Sequence, residues 1–352
     1  MHCHLPDVLR IAGAASFGNR LVARTGFALA IFIVALQPVG AQQLKDIAAP
    51  IDGTDSLYIG KYPRLNDVRF YYGVRGNSLT YESLRGSSPG IQGNLYRNIG
   101  DYIGFGLTWK KWIDFDVSVA LPGTTYLKEE RSTLQQIFLS ARITTRHLSF
   151  RGYITDASGA VYASANDQYL SPPSVHESRV GLQGFYFFNA RRYSYRAALY
   201  QNELQRRSAG SFLLGAEIFY RSLSASGGMT DPAYDVSARY GEEAGLKTLK
   251  APGILLLPGY AYTHVWREGQ YFASGLLSAG AGIAFNRYRA DKGSDTRNNV
   301  EAAANIMISG GYNGGKHYVR LMMAGYGRYE LLDPTFLTST NLMLDITLGR
   351  RF

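Results

Sequence analysis

The last eleven residues, Leu342-Met343-Leu344-Asp345-Ile346-Thr347-Leu348-Gly349-Arg350-Arg351-Phe352, alternate apolar with polar or small side chains and finish on an aromatic. Successive side chains of a strand point to opposite faces, so this segment carries one oily face and one polar face. Counting back in twos from Phe352 meets Leu348, Ile346, Leu344 and Leu342, with only Arg350 out of series. Near a membrane interface a long cationic side chain can bend its charge into water while its stem stays in apolar surroundings. The segment therefore reads as the closing strand of a transmembrane β-barrel, with lipid outside and a polar lumen inside. An edge strand of a soluble sandwich would share the period but gives no reason to stop on the final aromatic.

The beginning of the chain points the same way. Arg20 and Arg24 precede an apolar run from Phe27 to Leu36, and Val39-Gly40-Ala41 supplies small residues where a signal peptidase would cut. The run is shorter than the roughly 20 residues of a spanning helix. Residues 1–41 are expected to be a signal peptide, with Gln42 the first mature residue. Cys3 is the single cysteine and falls inside that segment, which leaves an exported chain with no disulfide and no thiol chemistry.

Beyond the signal, alternation with period two dominates. Ile103, Phe105, Leu107 and Trp109 interleave with Gly104, Gly106 and Thr108; Phe212, Leu214, Ala216, Ile218 and Tyr220 oppose Ser211, Gly215, Glu217 and Arg221. The same holds for Ile113, Phe115, Val117 and Val119, and for Val300, Ala302, Ala304, Ile306 and Ile308. These stretches approach the 9–11 or so residues that a tilted strand needs to cross a bilayer, whereas soluble strands are nearer 5–6.

Turn signals divide the chain into strands near 101–111, 112–121, 132–145, 147–156, 177–189, 192–203, 209–223, 253–266, 269–287, 297–312, 315–328 and 339–352, with one more strand or a hairpin over 66–84. The fold class is all-β, a single antiparallel transmembrane barrel of about 12 to 14 strands, and an even count favours fourteen. Residues 42–65 are left as a periplasmic lead-in and 66–352 as the barrel. The longest connections, 157–176 and 224–252, belong on the outer side, where barrel loops are long. With this strand map the two fall on opposite sides, so it contains a strand too many or too few, or one outer turn is short.

The net charge of +10 raises nucleic acid as a partner, but the cations are scattered and often neighbour acids, as in Lys128-Glu129-Glu130-Arg131. They read as loop and lumen charges, or as contacts to anionic lipid headgroups, rather than as a nucleic-acid stripe. The 26 tyrosines and 3 tryptophans suit a protein whose rings sit where hydrocarbon meets water.

The most distinctive internal text runs from Phe188 to Ser211. It contains Asn189, then Tyr193-Ser194-Tyr195, then Gln205 and Ser208-Ala209-Gly210-Ser211. In this order the residues resemble the central motif of an uncharacterised bacterial envelope family, domain of unknown function 4421. Tyr96 and Asn98 followed by Ile103-Gly104-Phe105-Gly106, and Gly259-Tyr260-Ala261-Tyr262, are similar to further family segments. The resemblance spans about residues 66–352. It implies an outer-membrane barrel and no established activity.

Period two nominates lumenal polar residues. If 192–203 and 209–223 form a hairpin, Arg196 lies almost opposite Glu217, on the same face as Arg221, and the two could pair across it. Asp114 and Asp116 project from one face and are expected to meet arginines such as Arg142 and Arg151 across the bore.

Signals for catalysis are poor. The histidines after the signal, His147, His176, His264 and His317, sit at turns, in a Pro-rich loop or in an aromatic band, and no Gly-x-Ser-x-Gly elbow is present. No spacing of Cys or His suggests a metal site, and no phosphate loop suggests a nucleotide, so no catalytic residue, cofactor or metal is assigned. The expected role is envelope structure, or passage or binding of a small solute through a polar lumen. The alternatives are a membrane-embedded lipid hydrolase or acyltransferase, and a soluble exported β-sandwich. Expected partners are outer-membrane lipid and the barrel-assembly machinery, engaged through the strand ending at Phe352.

Overall fold

A computed structural model describes residues 54–83, 92–121, 123–124, 135–159, 174–226, 246–290, 293–332 and 335–352. The expected signal peptide, Cys3 and the 128–131 charge cluster lie outside them. Twelve strands pair edge to edge into one closed antiparallel barrel. They are β2 (Asp67–Ser83), β3 (Gln92–Trp109), β4 (Ile113–Ala120), β5 (Gln135–Thr144), β6 (Leu148–Gly159), β7 (Ser174–Phe187), β9 (Ala209–Ser226), β10 (Thr248–Trp266), β11 (Tyr271–Ala290), β12 (Gly293–Asn313), β13 (His317–Leu331) and β14 (Thr335–Arg351). Each pairs with the next, and β14 closes on β2 with Arg351 opposite Asp67 and Thr335 opposite Ser83. Closure leaves no unpaired sheet edge in hydrocarbon, where each orphan backbone group would cost several kcal/mol.

Alternation sorts the side chains between two solvents. Leu342, Leu344, Ile346, Leu348 and Phe352 stand exposed on the outer wall, and Asp345, Thr347 and Arg351 are buried in the lumen. The same split runs through β9, where Phe212, Leu214, Ile218 and Tyr220 face out while Ser211, Glu217 and Arg221 are enclosed. A two-layered sandwich would tuck these apolar residues inward; here they form the wall's outer surface.

The short turns at 110–112, 145–147, 267–270 and 314–316 share one end of the barrel with Phe352 and with the lead-in that precedes β2. Short turns mark the periplasmic end of such barrels. Trp109, Tyr186, Phe212, Tyr262, Trp266, Tyr271 and Tyr312 are exposed near that end, forming an aromatic girdle at the headgroup level. Phe212 packs edge-on against Tyr260 at 5.0 Å and Tyr271 against Tyr312 at 5.5 Å.

Lumenal tyrosines lie across glycines on the neighbouring strand. Tyr153 is opposite Gly181 and Tyr318 opposite Gly349. A Cβ at Gly181 would come within 2.6 Å of the Tyr153 ring, and one at Gly349 within 2.0 Å of Tyr318. Absence of a side chain at these sites lets the rings lie flat on the wall, a device that fixes register in curved sheets.

One expected strand is not there. Residues 192–203 form no stave of the barrel; they hold a one-turn helix, α1 (Tyr195–Leu199), and lead into β8 (Glu203–Gln205). β8 pairs with β1 (Ile59–Lys61) in a separate two-stranded sheet. Removing that strand also brings the β6–β7 and β9–β10 connections, the two longest that were expected, to the same end of the barrel. The barrel has twelve strands rather than the favoured fourteen.

Candidate functional site

The connection between β7 and β9 folds into the periplasmic mouth of the barrel, and the motif residues build it. Asn189 ties the base of the segment: its backbone N–H donates to Ser211 Oγ at 2.9 Å and its Nδ2 to the Gly210 carbonyl at 2.8 Å. Ser194 caps α1, accepting from the Ala197 N–H at 3.0 Å, and its own backbone N–H donates to Gln205 Oε1 at 2.9 Å. Gln205 Nε2 donates to the Arg192 carbonyl at 2.6 Å. Tyr193, Tyr195, Leu199 and Tyr200 are buried against Phe185, Phe187 and Leu213 of the wall. Burial pushes the Tyr193 and Tyr200 hydroxyls upward, so both phenols stay neutral.

The wall holds this plug by its carbonyls. Ser309 Oγ donates to the Ala198 carbonyl at 3.0 Å, Arg320 donates to that of Leu199, and Arg351 to that of Gln201. Asn202 Nδ2 reaches Thr108 Oγ1 at 3.2 Å and Asp114 Oδ1 at 3.3 Å. The C-terminal carbonyls of a short helix are orphans, and here the lumenal cations satisfy them. From outside, the lead-in crosses the same mouth: Asp55 N–H donates to the Arg191 carbonyl at 3.0 Å, and Tyr62 lies under the Arg351 guanidinium at 3.9 Å.

The seven lumenal candidates fall into separate groups. Asp114 and Asp116 both face Arg69, at 3.6 and 2.8 Å, with Thr108 donating to Asp114 at 2.6 Å. Their expected partners, Arg142 and Arg151, pair with neither. Arg142 is directly opposite Asp114 on the adjacent strand, but its guanidinium turns away to the plug, donating to Tyr195 OH at 2.8 Å and stacking over Tyr200 at 4.9 Å. Arg151 lies over the rings of Tyr153 and Tyr326 at 5.2 and 5.7 Å.

Arg196 and Glu217 do not meet. Arg196 belongs to the plug and pairs with Glu203 at 2.8 Å. Glu217, fully buried, is the hub of the outer half of the lumen: Tyr153 OH donates to it at 2.6 Å, Arg328 at 2.7 Å, Gln183 at 3.1 Å and Arg179 at 3.2 Å. Arg221 pairs with Glu330, which also accepts from Asn286. The pairing of Arg196 with Glu217 rested on a hairpin that does not form.

Several lumenal residues escaped the sequence reading. Arg69 and Arg75 interleave with the outward Phe70 and Tyr72, and Asp345 with the outward Leu344 and Ile346. Period two carried a signal for all three. Nothing local marked Glu301 or Glu330 as partners of Arg179 and Arg221.

Among the described residues, two adjoining cavities lie in the lumen. The outer one, about 110 Å³, is lined by Arg75, Arg151, Arg179 and Arg328, by the carboxylate Glu177, and by Asn77, Gln136 and Asn341. The inner one, about 80 Å³, has Leu199 and Tyr200 of the plug in its lining. Arg75, Phe138, Arg151, Tyr326 and Met343 line both.

Outside the lumen, His264 Nδ1 lies 3.1 Å from Ser208 Oγ, a spacing compatible with a base and a nucleophile. Ser208 Oγ also accepts the Val265 N–H at 3.1 Å, and among the described residues no carboxylate orients the imidazole. His264 stacks edge-on against Trp266 at 4.4 Å in the aromatic girdle. Among the described residues no three His, Cys, Asp or Glu side chains converge to hold a metal.

A closed wall that is apolar outside and charged inside defines a transmembrane β-barrel of the outer-membrane type. The chain belongs to the family described as Domain of unknown function (DUF4421), whose model matches residues 53–352. Among solved structures it is similar to the translocator domain of the autotransporter NalP from Neisseria meningitidis, at 12% identity and a TM-score of 0.41, covering 93% of this chain and 99% of that one. It is also similar to the outer membrane protease OmpT from Escherichia coli, at 9% identity and a TM-score of 0.39, covering 85% and 100%. The toluene transporter TodX of Pseudomonas putida matches at 9% identity and a TM-score of 0.29, covering 85% and 94%. Likeness at this level says nothing about activity. A search of curated proteins finds no match.

Proposed function

We propose that this protein binds a small polar solute in the lumen and passes it inward when the plug moves. The observation that carries this reading is the pair of adjoining cavities, each lined by arginines, directly above a plug that fills the periplasmic mouth. A barrel serving only as an envelope strut would need neither a charged cavity nor a displaceable floor. Beside its apolar contacts with Phe185, Phe187 and Leu213, the plug is held through side chains that donate to its backbone carbonyls, and these bonds can be exchanged for water one at a time. The role is binding rather than chemical conversion, because the contact between Ser208 and His264 lies on the outer wall, away from the cavities, with no carboxylate orienting the imidazole among the described residues. The barrel-assembly machinery would engage the strand that ends in the exposed Phe352.

Single-channel recording in planar bilayers tests the proposal. Wild-type protein is expected to show rare openings, and Asn202→Ala, which releases the plug from Thr108 and Asp114, should open more often. If both proteins are folded by heat-modifiable migration yet remain silent, and liposomes containing them exclude small sugars, the solute reading fails and a structural role takes its place.

A further inference from the structure

Among the described residues, the lining of the inner cavity carries more positive charge than its carboxylates neutralise. Of the ionised groups lining the inner cavity, Asp116 is engaged by Arg69 at 2.8 Å and Asp345 by Arg320 at 3.5 Å. That leaves Arg75, Arg142 and Arg151, which line the same cavity and have no carboxylate oxygen within 4.0 Å among the described residues. Arg75 and Arg142 are 6% and 5% exposed, so these are enclosed cations.

Each guanidinium is instead held over aromatic rings: Arg75 over Tyr102 at 4.4 Å, Arg142 over Tyr200 at 4.9 Å, Arg151 over Tyr153 at 5.2 Å. Ring faces orient a cation but supply no compensating charge. The Nε of all three is buried with no hydrogen-bond partner. Arg142 and Arg151 are, in addition, direct cross-strand neighbours, an arrangement in which like charges repel. Buried charge is ordinarily paired, and an unpaired N–H in an enclosed site costs its full desolvation.

We infer that Arg75 and Arg151, assisted by Arg142, bind the carboxylate or phosphate group of a small organic anion. This rests on the proposed binding of a solute in the lumen and names its class. Guanidinium groups present forked N–H donors that match carboxylate and phosphate oxygens. Phe138, Tyr326 and Met343 line both cavities beside Arg75 and Arg151, and they offer an apolar surface for the body of the ligand.

Intrinsic fluorescence of the folded protein in detergent, titrated at constant ionic strength with potassium phosphate and separately with sodium benzoate, reads the binding. A saturable response to at least one anion is expected, and the anion that responds identifies the head group. The Arg75→Gln/Arg151→Gln double variant should bind about tenfold or more weakly, the loss of charge-assisted hydrogen bonds. Lys250→Gln, on the outer wall, should bind as wild type. No response beyond that to sodium chloride, or one that the folded double variant retains in full, overturns the assignment. Should the variant not fold, wild-type crystals soaked in sodium selenate decide: a selenium anomalous peak within hydrogen-bonding reach of Arg75 and Arg151 supports the site, and a map without one removes it. Maltose binding without anion binding would leave the solute reading standing and discard the anion. Absence of any bound or transported solute would discard both.

Discussion

Arg196 and Glu203 form an ion pair of 2.8 Å inside the plug, while Glu217 serves a different network on the barrel wall, with Tyr153, Gln183, Arg179 and Arg328. Glu203 also accepts from Ser194 Oγ at 2.6 Å, so one carboxylate joins the cap of α1 to its basic residue. The plug thus has a polar network of its own, in addition to the wall's arginines that grip it.

A double-mutant cycle on Arg196→Ala and Glu203→Ala should show coupling of about 1–3 kcal/mol, because the two groups touch. The cycle of Arg196→Ala with Glu217→Ala should be additive within about 0.5 kcal/mol. Urea unfolding in detergent micelles measures both, and coupling in the second cycle would contradict the plug geometry.

Glu217→Gln should destabilise the barrel by about 3 kcal/mol, since it leaves Arg328 enclosed with its carboxylate gone and Arg179 with Glu301 alone, at 3.4 Å. Equilibrium unfolding reads the loss. An unchanged midpoint would mean that water or another carboxylate replaces Glu217 without cost.

Gly181→Ala should cost about 1–3 kcal/mol by pushing the Tyr153 ring off the neighbouring strand. The displaced hydroxyl can no longer reach Glu217. Combining Gly181→Ala with Tyr153→Ala should recover most of the packing strain, and failure to do so would place the clash elsewhere.

The turn between β3 and β4 carries two non-glycine residues with positive φ, Lys110 at 50° and Lys111 at 63°. The Trp112 N–H donates to the Trp109 carbonyl at 3.1 Å, which closes a tight hairpin of the kind that favours asparagine and glycine. Lys110→Asn is expected to stabilise the barrel by about 0.5 kcal/mol, since asparagine tolerates this region better. A loss of stability in the same unfolding assay would show that the Lys110 ammonium over the Trp109 ring, at 4.6 Å, matters more than the backbone.

Barrel and lumen differ in how far a local pattern can specify them. The alternation of Phe212, Leu214, Ile218 and Tyr220 with Ser211, Glu217 and Arg221 could be read without any partner strand, because period two is a property of the strand itself. The plug could not be read this way. Tyr193 and Tyr195 are spaced like one face of a strand, yet Ser194 between them is buried too, so the segment is enclosed on every side. A helix of one turn is also too short to leave a 3.6-residue signature.

By itself, the sequence determined that the wall would be apolar outside and polar inside, that residues 339–352 would include a strand with Leu342, Leu344, Ile346 and Leu348 on its oily face, and that the lumen would contain Asp114, Arg142, Glu217 and Arg221. Only the tertiary structure decided which charges meet. Arg69 takes Asp114 and Asp116, and Arg142 turns to Tyr195, because partners across a lumen depend on the number of staves, their stagger and what fills the mouth. Those are properties of the closed cylinder, and no single strand encodes them.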